Sequence, residues 1–167
     1  MKSAITSIFK RHKIKLSVGL VSFMVWVFCL PSDLFHFPTA TIAESRDGVM
    51  IGARIADDGQ WRFPEMDSVP YRFEQSILLF EDEHFYKHPG FNPVSIGKAL
   101  WQNLTTNKRR GGSTLTQQVI RLSRKNKQRN YAEKAIEILQ ATRLEVGYSK
   151  KEILNLYASY APFGGNV

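Results

Sequence analysis

The chain has 167 residues, 43% hydrophobic, 12% aromatic and 23% charged, a balance that sets aside intrinsic disorder and suits one packed domain. A single cysteine, Cys29, excludes an intramolecular disulfide framework and any multi-cysteine zinc site. The formal charge of +8 is segregated along the chain: five basic groups and no acid over residues 1–32, four basic against eleven acidic over 33–83, ten basic and no acid over 84–132, and four of each thereafter.

Lys2, Lys10, Arg11, Lys13 and Lys15 precede an uncharged run from Leu16 to Leu30. With Ile14 included and Lys15 snorkelling outward, a helix over this run is roughly 25 Å long, near the lower limit for crossing a bilayer. A cleaved signal peptide shares the basic start, but this run stays bulky to its end and meets Pro31-Ser32-Asp33 without an A-x-A site. The expectation is a cytoplasmic basic tail over 1–13 and one transmembrane signal anchor over 14–30, with everything beyond it on the outer side of that membrane.

Residues 31–70 read as a linker with a small β element. Asp47-Gly48 and Asp58-Gly59 are hairpin turn signals beside Val49-Met50-Ile51 and Arg54-Ile55-Ala56. Residues 71–167 read as helical. Asn92-Pro93 is an N-cap with proline at the first helical position, followed by Ile96, Leu100 and Leu104 at four-residue spacing. Thr114 with Gln117, and Ser149 with Glu152, fit capping boxes. Between them Ala132, Ala135, Ile136 and Leu139 form one apolar stripe, with Glu133 and Glu137 offset from it. The fold class expected is mainly α with a small N-terminal β-hairpin element.

Three groups of residues could carry chemistry. In the first, Glu81-Asp82-Glu83-His84 follows the apolar run Ile77-Leu78-Leu79-Phe80. A carboxylate at such an edge suits general-base work when partly desolvated, and is otherwise a solvated helix end. His84 and His88, four apart, make a weak metal pair because no further ligand cluster accompanies them. In the second, Gly111-Gly112-Ser113-Thr114 opens a helix just after Lys108-Arg109-Arg110. That arrangement suits either a phosphate at the free N–H groups or a purely structural cap. The third is the basic run Arg121, Arg124, Lys125, Lys127 and Arg129, then Lys134 with Glu137 three residues on. Ten cations over residues 84–132 without an intervening acid point to a polyanion. An external, membrane-anchored domain argues for a lipid-linked phosphate or the leaflet surface rather than nucleic acid.

Taken in order, these motifs resemble the peptidoglycan glycosyltransferase domain of glycosyltransferase family 51. Glu81-Asp82-x-x-Phe85-x-x-His88-x-Gly90 resembles the family's first motif, Gly111 to Gln118 its second, Arg129 through Lys134 to Glu137 its third, and Lys151-x-Ile153-Leu154-x-x-Tyr157 a later one. The resemblance runs from about Asp47 to the end. It implies a lysozyme-like domain that polymerises lipid II at the outer face of the bacterial cytoplasmic membrane, releasing undecaprenyl pyrophosphate. It implies Glu81 as general base and Glu137 as a second essential carboxylate. Arg121, Arg129 and Lys134 are implied on the pyrophosphates, with Ser113, Thr114 and Gln117 lining the donor site. Glu137 would steady those cations or a divalent ion such as Mg or Mn; no cofactor is otherwise implied. Partners implied are lipid II, the growing glycan strand, the membrane and other cell wall synthesis proteins.

Two departures matter. Glu133 stands where the family usually has Arg, which lowers the local cationic charge, and Asn92 replaces a usual Asp with an equivalent cap. The family's domain also continues for several helices beyond the point matched by Val167, so a domain incomplete at its C-terminus is expected. The alternative from another class is a non-catalytic, membrane-anchored module that binds lipid II or anionic lipid without turning it over.

Overall fold

A computed structural model describes residues 2–62, 68–106, 111–125, 127 and 130–162. Among them the chain is mainly helical: α1 (Lys2–Val27), α2 (Tyr71–Glu81), α3 (Pro93–Thr105), α4 (Leu115–Ser123), α5 (Tyr131–Gly147) and α6 (Lys150–Tyr160), with a 3-10 turn at Phe85–Lys87. Strands β1 (Thr41–Glu44) and β2 (Met50–Arg54) form an antiparallel pair with Thr41 opposite Arg54 and a register break at Ala43/Glu44. The first expected turn closes this hairpin, with Gly48 at φ +75 and Ser45 N–H on the Val49 carbonyl. The second, with Gly59 at φ +73, turns the chain back so that Ala40 N–H meets the Arg62 carbonyl, without forming a third strand.

The expected caps are present where their side chains can reach. Asn92 accepts from Val94 N and Ser95 N, each at 3.1 Å, and Ser149 with Glu152 makes both halves of a capping box. At α4 only half a box forms. Thr114 accepts from Gln117 N, while the Gln117 side chain is drawn away to the Gly90 carbonyl.

The core is centred on α4, which packs on α5 and α6. Phe85, Leu115, Val119, Ile120, Leu144 and Ile153 are fully buried there. Leu34 joins this core, and Phe35 stacks on Tyr160 with ring centroids 3.8 Å apart, so the segment after α1 is fixed to the end of α6.

Three sequence expectations are corrected. No helix among the described residues is long and apolar enough to cross a membrane. The expected anchor over 14–30 loses its last residues because the chain turns after Val27, where Cys29 N–H bonds the Trp26 carbonyl. The turned end is held on α5: Gln140 donates to the Cys29 carbonyl at 2.6 Å, Arg143 to the Val27 carbonyl at 3.1 Å, and Trp26 to Thr142 at 3.0 Å. From Ile14 to Val27 the helix covers roughly 21 Å, short of a hydrocarbon core of about 30 Å.

Second, the buried side of α5 is Glu137, Gln140, Ala141 and Leu144, while Ala132, Ala135, Ile136 and Leu139 are exposed. Third, α3 buries only Ala99 and turns Leu100, Trp101 and Leu104 outward. In both helices the apolar stripe faces away from the core, because on α5 the polar face is needed inside.

Candidate active site

Glu81 is the last residue of α2. The backbone then leaves the helix at Asp82, whose side chain folds under the site rather than into solvent. Asp82 Oδ2 accepts from Leu115 N, at the start of α4, at 2.9 Å. It also meets His88 Nε2 at 2.9 Å, with both side chains 6% exposed. A carboxylate oxygen that accepts here makes Nε2 the donating nitrogen, and the buried His88 Nδ1 has no hydrogen-bond partner among the described residues.

This changes the reading of the glycine-led helix start. A helix N-terminus attracts an anion, and here Asp82 supplies one from within the fold while Thr114 takes Gln117 N. The structural cap is therefore what forms. Gly112 serves packing as well: a Cβ there would lie 3.0 Å from the Ser95 carbonyl oxygen and 3.1 Å from Ala99 Cβ on α3. Gly111, in contrast, faces open space.

Gly90 is the second fixed point. It has φ +87, and a Cβ would meet the Ala141 carbonyl oxygen at 2.6 Å, so only glycine fits. Its carbonyl accepts from Thr114 Oγ1 at 2.7 Å and from Gln117 Nε2 at 3.4 Å. Thr114 and Gln117 are both fully buried.

Lys134, from the first turns of α5, reaches this cluster. It donates to Ser113 Oγ at 2.9 Å, to Gln117 Oε1, and to Glu137 Oε2 at 3.0 Å. Glu137 is buried while Lys134 remains about one-third exposed, so the ammonium faces outward from a buried counter-charge. Below, Glu145 accepts from Thr116 at 2.6 Å and from Lys150 at 2.7 Å, and Lys150 also donates to the His88 carbonyl.

Glu81 belongs to a separate group. Its Oε2 accepts from Gln118 Nε2 at 2.6 Å, and Arg121 Nη2 lies 3.5 Å from Gln118 Oε1. These three line a cavity of about 540 Å³ whose apolar wall includes Ile77, Phe80, Leu122 and Tyr157. Burial and the Glu81 charge push the Tyr157 phenol up to about 12, with Arg121 opposing. The phenol is therefore neutral at physiological pH.

The fold thus brings Glu81 and Arg121 to one cavity and Ser113, Thr114, Gln117, Lys134 and Glu137 to one partly buried cluster, the two joined through α4. Arg129 lies outside the described residues. Arg124 pairs with Glu133 at 2.6 Å, so the acid that departs from the family pattern has a specific cation of its own. The expected pair of histidines separates: His84 is exposed and His88 is committed to Asp82. Glu137 spends its carboxylate on Lys134, and among the described residues no group of three His, Cys, Asp or Glu could hold a metal ion. The described residues thus make no protein-held divalent site.

Sequence reading passed over Gln118 and favoured its neighbour Gln117. Adjacent helical residues point about 100° apart, so only one of the two can face the cavity. The three-residue spacing from Gln118 to Arg121 was the available signal.

The site thus joins an acid and an arginine that line one half-apolar cavity to a lysine paired with a second, buried acid. The chain belongs to the transglycosylase family, whose pattern matches residues 47–167. It is 40% identical over 140 residues to penicillin-binding protein 1C of Escherichia coli K12, covering 82% of this chain and 18% of that protein. It is 36% identical over 104 residues to a monofunctional glycosyltransferase of Staphylococcus aureus JH9, covering 62% of this chain and 39% of the relative. The chain therefore spans less than half the length of each of these relatives.

Proposed function

We propose that the chain is a peptidoglycan glycosyltransferase of lysozyme-like fold, polymerising lipid II into β-1,4-linked glycan for the cell wall. The carrying observation is the Glu81 carboxylate, held by Gln118 at 2.6 Å in a cavity shared with Arg121, within a domain of the transglycosylase family.

In the reaction Glu81 takes the proton of the acceptor sugar's 4-hydroxyl. The hydroxyl oxygen forms a bond to C1 of the donor sugar, and the bond from C1 to the pyrophosphate oxygen breaks with its electron pair. One displacement inverts C1 and gives the β linkage. Charge accumulates on the leaving pyrophosphate, where fixed cations are most effective. Arg121, Lys134 and Arg129 take that role. Ser113 lies beside the Lys134 ammonium on the donor side. Thr114 and Gln117, both buried, support Gly90 and Lys134 rather than line the donor site directly, and Glu137 holds Lys134 ready.

The exposed apolar residues of α1, among them Leu16, Val21 and Val25, and Leu100, Trp101 and Leu104 of α3, support a domain seated in lipid. We place it at the outer face of the bacterial cytoplasmic membrane, where it would meet other cell wall synthesis proteins.

The test is gel analysis of labelled lipid II incubated with detergent-solubilised protein and with Glu81→Gln. Polymer from the wild type alone is expected. Equal polymer from Glu81→Gln removes Glu81 as the base. No polymer from either, with lipid II retained, makes the chain a binding module without turnover.

A further inference from the structure

We infer that Gln118 is the positioning residue of the Glu81 carboxylate, holding Oε2 so that Oε1 is the atom presented to the acceptor. This rests on Glu81 being the base. Glu81 ends its helix, so the backbone beyond it does little to fix the side chain, and three torsions must be set by contacts. One contact does so. Gln118 Nε2 donates to Oε2 at 2.6 Å, whereas Oε1 has no hydrogen-bond partner among the described residues.

The amide itself is oriented by its other end. Arginine has only donors, so Arg121 Nη2 at 3.5 Å faces the Gln118 carbonyl oxygen and leaves the NH₂ end toward Glu81. Gln118 and Arg121 are three residues apart on α4 and share one face, and α4 is anchored at its start by Asp82, the residue following Glu81. Helix and acid are therefore tied at two points, Leu115 to Asp82 and Gln118 to Glu81. Ile77, Phe80 and Leu122 line the same cavity, and apolar walls strengthen a hydrogen bond to a charge by excluding water.

The experiment compares wild type, Gln118→Met and Glu81→Gln in steady-state polymerisation of labelled lipid II. Methionine keeps the length of the side chain and suits the apolar neighbours. Gln118→Met is expected to lower kcat about 10- to 100-fold with KM within about threefold, because a misplaced reacting group costs on that order. A kcat within twofold of wild type overturns the inference, as does a loss confined to KM, which would make Gln118 a substrate contact. Full activity in Glu81→Gln removes the underlying reading instead.

Where no chain makes polymer, the bond is still read directly. The Gln118 side-chain amide, assigned by its disappearance in Gln118→Met, should show a downfield-shifted proton in a ¹H–¹⁵N spectrum that moves back in Glu81→Ala. An amide unchanged by Glu81→Ala overturns the inference without reference to turnover.

Discussion

α3 and α4 are neighbours in the chain and opposites in the fold. α4 reads Leu-Thr-Gln-Gln-Val-Ile-Arg-Leu-Ser, yet buries five of its nine residues, including Thr116 and Gln117. α3 carries Val94, Ile96, Leu100, Trp101 and Leu104, yet buries only Ala99 and leaves Trp101 71% and Leu104 76% exposed. Burial of a polar side chain is tolerable only where its groups are paired, and α4 meets that condition through Gly90, Lys134, Glu145 and Asp82. An exposed apolar stripe marks a surface that meets a partner, a ligand or a membrane. The polar helix therefore carries the site, and the apolar one faces the surroundings of the molecule.

The largest expected effect strikes the point on which α4 depends. Gly90→Ala places a Cβ 2.6 Å from the Ala141 carbonyl oxygen in a left-handed backbone conformation. The substitution must shift α5 and disturb the carbonyl that Thr114 and Gln117 share. A loss of about 3 to 4 kcal/mol is expected in urea unfolding. A loss under about 1 kcal/mol would show that α4 is not fixed through Gly90.

The comparison is tested directly by matched truncations. Ile120→Ala, at a fully buried position of α4, should cost about 3 kcal/mol. Leu104→Ala on α3 should cost less than about 0.5 kcal/mol in detergent-free urea unfolding, while lowering co-flotation with anionic phospholipid vesicles. If Leu104→Ala costs as much as Ile120→Ala, the α3 stripe is covered in solution and the contrast collapses.

Much of this was legible before any coordinates, and the illegible part has a physical cause. Local signals held up: Asn92 and Ser149 cap their helices as their chemistry requires, and the hairpin turn at Gly48 follows from a positive φ. Periodicity marked the apolar stripes of α3 and α5 but not which side of each helix packs inward. On α5 the inward face is Glu137, Gln140, Ala141 and Leu144; Gln140 is paired with the Cys29 carbonyl, 111 residues away, and Lys134, which pairs Glu137, also reaches Ser113, 21 residues away. Such pairings are set by tertiary geometry. The phosphate-like helix start illustrates the same limit: its attraction for an anion was legible, but not that Asp82, 33 residues earlier, would satisfy it.

A weaker test uses pH. Tyr157 is buried and its phenol is raised from 10.0 to about 12, chiefly by burial and then by Glu81. A group that ionises less readily when folded contributes stability in full below its unfolded pKa, and loses it as pH rises through the folded value. Stability should therefore fall between about pH 10 and 12, by on the order of 2 kcal/mol from this residue. Tyr157→Phe should flatten that decline in unfolding measured at pH 9, 10.5 and 12. An unchanged slope would mean that the cavity wall at α6 is open to water, unlike the rest of the α4 surroundings.

The smallest effect separates two caps of the same design. Ser149 stands at an exposed helix start, with a reciprocal pair of bonds to Glu152. Removing an exposed cap leaves its backbone N–H to water, so Ser149→Ala should cost about 1 kcal/mol. Thr114 makes the corresponding bond to Gln117 N at 3.3 Å but is 2% exposed and also donates to Gly90. Thr114→Ala leaves a buried N–H and a weakened carbonyl contact with no water to replace them, so it should cost about 2 kcal/mol. Equal costs for the two substitutions would imply that water reaches the start of α4. The buried polar pairs there would then not be what distinguishes the site helix from its apolar neighbour.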